Sequence, residues 1–361
     1  MREEGRGKRW LRRGAVTSSL FPLPLALLAV VGCARAAAPT RAPAAPPFAV
    51  EQLAAGVYAV PGDTGRGSEG RPNAGFVVTD SGVLVIDALA SPEEGERLLA
   101  TVARVTDRPV RWLLLTHHHP DHHFGAVALT RAGARVIAHP ERATLASENG
   151  DSAFAAAWTA VVGERAMRGF AFADAPSVPV TADTTLRLGG RELMVLQPGA
   201  PHTPGDLLLW LPAERVLFAG DLLVEDAGTI VVDGDSRQLL AALDRMEALG
   251  ARVAVVGHGR IERDPPALIA RTRCYVLGMR ERMREAVAAG TSMNRALAGM
   301  PPADPSRPVS RASRDRRNAV RIYLEVEREL FHGRGDSAGV SSAGVSSAGV
   351  SAAVATRPCA P

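Results

Sequence analysis

Apolar and polar positions along this chain fall into two periods. Short apolar runs bounded by turn residues read as strands: Gly56 to Val60, Ala74 to Thr79 and Val83 to Ile86, the last two joined by the turn signal Asp80-Ser81-Gly82. A helical spacing follows in Leu98, Leu99, Val102 and Val105, with Ser91 as N-cap and acidic residues in the first turn. Trp112 to Leu115 is again a strand, Gly125 to Arg131 a helix and Arg135 to Ala138 a strand, while the Ala-rich residues 140–180 read as helical without sharp bounds. Further strands are expected at Thr185 to Leu188, Glu192 to Leu196, Leu207 to Leu211, Val216 to Phe218 and Val253 to Val256, with an amphipathic helix from Gln238 to Leu249 before the last. Runs of adjacent strands among helices exclude a purely alternating parallel fold. Beyond them come three helices: Pro265 to Ala289 with a buried stripe of Leu268, Thr272, Tyr275, Met279, Met283 and Val287, a short one up to Leu297, and Asp315 to Phe331, whose arginines read as a solvated face.

The two ends have other patterns. Six basic side chains precede the apolar stretch Leu20 to Val31, and small residues follow, which together read as an export signal over residues 1–36. Val30-Val31-Gly32-Cys33 fits a lipobox that would lipidate Cys33, whereas Ala34-Arg35-Ala36 fits ordinary signal cleavage, so both a lipid-anchored and a free periplasmic protein stay open. An Ala/Pro-rich tether over residues 37–49 leads into a domain expected over 50–262, a helical extension over 263–332 and a low-complexity tail over 333–361. The tail's Cys359 reads as incidental rather than as a disulfide partner of Cys274. A chain of 361 residues that is 46% hydrophobic can bury one large core or two modest ones. Its net charge of +4 is carried by the signal: removing the six basic and two acidic side chains of residues 1–33 from 42 and 38 leaves 36 and 36. That balance argues against a nucleic-acid partner.

The chemistry gathers at Thr116-His-His-His-Pro-Asp-His-His-Phe-Gly125, just past a strand. Residues two apart in extended chain point the same way, so His117 and His119 can grip one metal ion, and Pro120 bends the chain so that Asp121 and His122 can turn to a second. Three more polar residues follow predicted strands beside Gly or Pro: His202, Asp221 in Gly220-Asp221, and His258. His118 alternates away from its neighbours, His123 reads as solvent-facing, His332 lies far downstream, and neither His139 nor Asp206 has a pattern that assigns it a role.

The series His117-x-His119-x-Asp121-His122, His202, Gly220-Asp221 and His258 resembles the metallo-β-lactamase fold superfamily over roughly residues 50–262. The resemblance implies an αββα sandwich, here with a C-terminal helical extension. It implies that His117, His119 and His202 hold a first metal, that Asp121, His122 and His258 hold a second, and that Asp221 bridges both. Such a bridging aspartate is typical of the glyoxalase II-like branch, whereas the lactamases proper generally lack it. Asp87 is the candidate carboxylate behind a ligand histidine, with capping of a strand end as the alternative. Two zinc ions are the expected cofactors, and the nitrogen-and-oxygen donor set does not exclude iron or manganese. The function implied is an exported hydrolase in which a metal-bound hydroxide, oriented by Asp121, attacks a small ester, thioester, lactone or amide. β-Lactam cleavage is the alternative within hydrolases. The run from Arg317 to Glu325 is similar to exported zinc metallohydrolases of the quinoprotein-relay or sulfur-oxidation type, which adds a non-catalytic accessory protein of a quinoprotein dehydrogenase system as the other reading.

Overall fold

The structure, a computed structural model, describes residues 45–63, 71–141, 151–172, 177–226, 228–302 and 311–331. The expected export signal, Cys33, most of the tether, His332 and the low-complexity tail lie outside the described residues. Among those described, no helix is long and apolar enough to cross a membrane.

Strands β1 (Glu51–Ala54), β2 (Val57–Val60), β3 (Ala74–Thr79), β4 (Gly82–Ile86), β5 (Val110–Leu114), β6 (Arg135–Ala138) and β7 (Val178–Pro179) form one sheet in that order. Strands β8 (Thr184–Leu188), β9 (Arg191–Leu196), β10 (Leu208–Leu211), β11 (Val216–Gly220) and β12 (Val253–Val256) form a second, also in chain order. The β1–β4 and β8–β11 pairings are antiparallel, while β4–β5, β5–β6, β6–β7 and β11–β12 are parallel. The parallel members are apolar on both faces, as sheets covered on both sides must be.

That two-sided burial sorts into three apolar layers. Leu84 and Ile86 of β4 point between the sheets, against Phe218 and Val255 of the second. Val83 and Val85 point the other way, onto α1 (Pro92–Ala103) and α3 (Ala126–Arg131) through Leu98, Val102 and Leu129. On the far face of the second sheet, Leu217 and Ala254 pack in one core with α5 (Ser236–Leu249), α6 (Pro265–Ala288), α7 (Met293–Ala298) and α8 (Arg311–Phe331). The result is the expected αββα sandwich with a helical extension. In α6 the expected stripe is buried at Leu268, Thr272, Met279, Met283 and Val287. Phe48, at the end of the predicted tether, is buried against α1, its N–H donating to Thr101 Oγ1 at 2.9 Å.

Several expectations are corrected. Strand β1 and the one-turn helix α2 (Pro120–His123) were not legible as elements. Among the described residues of 140–180, helix α4 (Asp151–Val162) is joined by the two-residue strand β7, so the stretch is not helical throughout. Arg317 and Arg328 of α8 are exposed as expected, but the helix starts earlier than expected and carries a buried arginine, Arg314, which pairs with Asp226 at 3.0 Å. Cys274 is disulfide-bonded, and the expectation for Cys359 lies outside the described residues.

Close backbone approach ties the helices to the histidine stretch. A Cβ on Gly95 of α1 would fall 2.3 Å from Gly125 O, and one on Gly125 would fall 2.0 Å from Ala88 O. Gly125→Ala is therefore expected to destabilise the fold by about 1–3 kcal/mol, the cost of overpacking. The measurement is the midpoint of denaturant unfolding, and a wild-type midpoint would refute the constraint.

Candidate metal centre

The parallel strand pairs bring the polar residues together. Strands β4 and β5 end side by side, so Asp87 and the Thr116–His119 segment meet at one edge. Strands β11 and β12 do the same for Asp221 and His258. His202 arrives on the loop between β9 and β10. Helix α2 begins at Pro120, with His119 as its N-cap, and turns Asp121 and His122 inward.

Two clusters result: His117, His119, His202 and Asp221, and Asp121, His122 and His258, with the donor atoms of each within 4.8 Å of one another. All are buried except His119 and Asp121, which are partly exposed. Asp221 lies between them. Its Oδ2 is 3.9 Å from His117 Nε2, 3.6 Å from His202 Nε2 and 3.7 Å from His258 Nε2, and its Oδ1 is 3.1 Å from His122 Nε2. Asp121 Oδ2 lies 3.1 Å from His258 Nε2 and 3.7 Å from His122 Nε2. Gly257 leaves room for this placement, since a Cβ there would fall 1.7 Å from Asp221 Oδ1.

Hydrogen bonds around the rim decide which ring nitrogens carry protons. His202 Nδ1 faces the Ile230 carbonyl at 2.5 Å and must donate to it. His122 Nδ1 donates to Asp87 Oδ2 at 2.9 Å. Thr116 gives its hydroxyl proton to the same carboxylate at 2.9 Å, so it accepts from His117 Nδ1 at 3.0 Å. His119 Nε2 donates to Asp233 Oδ2 at 3.2 Å. Each of these four rings therefore turns a lone pair into the site.

The inward atoms then lack partners. His202 Nε2 and His119 Nδ1 approach to 3.1 Å, lone pair against lone pair. The buried His117 Nε2, His122 Nε2 and Asp221 Oδ1 make no hydrogen bond. An arrangement of this kind is repulsive until a cation fills it. Imidazole nitrogen and carboxylate oxygen are the donors zinc takes, so the residues present fit two divalent ions.

The electrostatics agree. Burial raises the Asp121 carboxyl, but His122 and His258 outweigh it and bring it down to about 2. Asp221 is likewise held well below the usual carboxylate range, against burial, by His122 and His258. Burial, and then the neighbouring His119, lowers His202 to about 4, which keeps it a neutral ligand. Burial depresses His122 too, yet Asp221, Asp121 and Asp87 hold it well above its ordinary value. The site thus draws positive charge.

Asp87 lies where a carboxylate behind a ligand would lie. It is buried, accepts from the Thr116 N–H at 2.8 Å and orients His122. Its φ of +58° and Leu89's of +67° are left-handed, a conformation that costs a non-glycine residue energy. Backbone bonds from Ala88 N to His122 O at 2.7 Å and from Gly125 N to Leu89 O at 3.0 Å hold the strained turn against α2.

The other candidates resolve differently. His123 is buried, not solvent-facing: its Nδ1 bonds the His119 carbonyl at 3.0 Å and its ring meets Phe124 edge-on. Asp206 shapes the His202 loop, accepting from His202 N at 2.7 Å and from Thr203 N and Oγ1, and burial pushes it up to about 7. His139 packs against Gly205 of that loop. Thr116, Ile230 and Asp233 were missed. Thr116 adjoins the motif and was findable as a polar residue at a strand end. The other two lie in a loop whose only sequence signal is a turn.

A family model described as the metallo-beta-lactamase superfamily matches residues 67–258, more than half of the 361. A curated protein named Metallo-beta-lactamase type 2, from Bacillus sp. (strain 170), is 24% identical over 200 residues, 54% of this chain and 69% of its own. A solved metallo-beta-lactamase from Pontibacter korlensis superposes with a TM-score of 0.53 at 25% identity, over 64% of this chain and 99% of its own. A stereoselective inverting sec-alkylsulfatase from Pseudomonas sp. shares the fold at a TM-score of 0.60 and 17% identity, over 77% of this chain and 50% of its own.

Asp87→Ala is expected to weaken metal binding about 10–100-fold, as loss of a partner behind a ligand does. Zinc affinity by chelator competition checks it, and an unchanged constant would leave Asp87 a strand cap only.

Proposed function

This chain belongs to the metallo-beta-lactamase superfamily, and on that premise we propose that it is an exported hydrolase, dependent on two zinc ions, that cleaves a small ester, thioester, lactone or amide. The observation that carries the reading is Asp221, whose two carboxylate oxygens face both clusters at 3.1–3.9 Å. Two bound ions would supply Lewis acidity and a water of lowered pKa. The chain's own residues hold and orient. His117, His119 and His202 serve the first ion, Asp121, His122 and His258 the second, and Asp221 both.

Asp121 has a further part. Among the cluster residues it alone lines a cavity of about 360 Å³, whose wall also includes Arg71, Arg97, Ser91, Glu94 and Trp158. That volume suits a small molecule. The placement lets the Asp121 carboxylate orient a water that enters from the cavity.

Export rests on the basic-then-apolar pattern of residues 1–36, and assigns the protein to the periplasm, with Cys33 as a lipid anchor where the lipobox is used. β-Lactam cleavage is the second reading, favoured by relatives named Metallo-beta-lactamase type 2. Against it stands Asp221, which belongs with the glyoxalase II-like site.

The test is hydrolysis of a thioester, a lactone, an ester, an amide and a chromogenic cephalosporin, each with and without chelator. Chelator-sensitive turnover of one of the first four is expected, with the cephalosporin poorer. His119→Ala and Asp221→Ala should each lose most of both turnover and bound metal. Retained turnover in both variants overturns the assignment. Failure on every substrate, with two metals still bound, overturns the hydrolase in favour of a non-catalytic metal-binding accessory.

A further inference from the structure

The helical extension reaches the metal centre through one side chain. Asn318, on α8, is fully buried. Its Oδ1 accepts from Val231 N at 2.9 Å, and its Nδ2 donates to Thr229 O at 2.8 Å. It therefore grips the backbone on both sides of Ile230, whose carbonyl fixes the His202 tautomer at 2.5 Å. Thr229 Oγ1 in turn donates to the Asp221 carbonyl. Two residues beyond Val231, Asp233 receives His119 Nε2. Three of the four residues in the first cluster thus depend on one loop, and that loop is clasped by Asn318.

The clasp is itself held. Asn318 Nδ2 also lies 2.9 Å from the Tyr275 hydroxyl, which donates to Asp315 at 2.8 Å. Arg314 pairs with Asp226 where the loop begins. Where it ends, Glu325 accepts from Ser236 N at 3.2 Å, and Arg280 donates to Ser236 Oγ at 2.6 Å. Helix α8 thus meets the loop at its start, middle and end.

We propose that Asn318 is a positioning residue for the metal centre: by holding Thr229 and Val231 it aims the Ile230 carbonyl that orients His202, and so sets the affinity of the first cluster. The inference rests on reading the two clusters as metal sites, but not on any substrate.

Zinc dissociation constants are measured by chelator competition on the full chain for wild type, Asn318→Ala and Val326→Ala, with His202→Ala marking the first-cluster constant. Val326 is equally buried two turns along the same helix but has no side-chain group that could hydrogen-bond the loop. Asn318→Ala is expected to weaken the first-cluster ion about tenfold, the low end for such partners, and to leave the second within about twofold. Val326→Ala should lower the melting temperature and leave both constants unchanged. Unchanged constants in Asn318→Ala, or an equal effect of Val326→Ala, overturn the proposal. Should Asn318→Ala not fold, Asn318→Asp is measured in the same way. It keeps the acceptor for Val231 N and loses the donor to Thr229 O, so weaker first-cluster binding supports the proposal and an unchanged constant overturns it. Wild-type protein that binds two zinc ions without hydrolysing anything would bear on the proposed function alone.

Discussion

Several imidazole lone pairs and two carboxylates turned into one buried volume repel each other, and the structure around them is arranged to keep them there. Burying such groups without partners costs several kcal/mol. The protein offsets this from outside the site. His117 is held through Thr116, His122 by Asp87, His202 by the Ile230 carbonyl and His119 by Asp233. Each outward bond both fixes a tautomer and prevents the ring from flipping its lone pair away. A cation in the middle converts the remaining repulsion into attraction, so metal binding and local stability are one quantity at this site.

The fold makes this possible because parallel neighbours end at the same edge. Strand β4 beside β5 sets Asp87 against Thr116, and β11 beside β12 sets Asp221 against His258. An antiparallel pairing at either place would send one member of each pair to the opposite edge. The antiparallel strands elsewhere build the width of the two sheets. The strained turn after β4 adds the last adjustment: Asp87 is left-handed there, and its carboxylate meets both Thr116 and His122. Its cost is spread over backbone bonds to α2.

How much of this was legible follows from which forces are local. Strand β3, β6 and β12 bounds were readable residue for residue because buried strands announce themselves as short apolar runs. The seven cluster residues were readable because each follows a strand within a Gly- or Pro-marked turn, and their order matched a known motif series. The polar partners were harder. Ile230 acts through its carbonyl, which leaves no trace in side-chain identity. Asn318 is a lone amide on a helix of charged residues, 116 positions from His202 in sequence, and only folding gives it meaning. His123 looked like solvent-facing polarity because a run of histidines does not reveal which ones a helix turns inward. Likewise the burial of Arg314 was not readable, because it depends on pairing with Asp226, a residue far away in sequence.

That last pairing bears on why the extension belongs with the site at all. Among its described residues the segment between β11 and α5 holds no helix or strand, so its backbone groups need other partners. The sheet ends and neighbouring turns supply some: Leu222 N donates to Ala219 O, Glu225 N to His258 O and Asp235 N to Ala200 O. Helix α8 supplies others through Asn318 and Glu325, and its Arg314 pairs with the Asp226 side chain; the three lie along one helix face at spacings of four and seven. The same residues that would solubilise an isolated helix are here buried donors and acceptors. A hydrophobic face alone could cover the second sheet, as the apolar half of α8 does. It could not hold a loop whose job is to present one carbonyl and one carboxylate to two histidines. The extension therefore joins two tasks in one helix, closing the core on its apolar side and fixing the loop that carries the first cluster's outward bonds on its polar side.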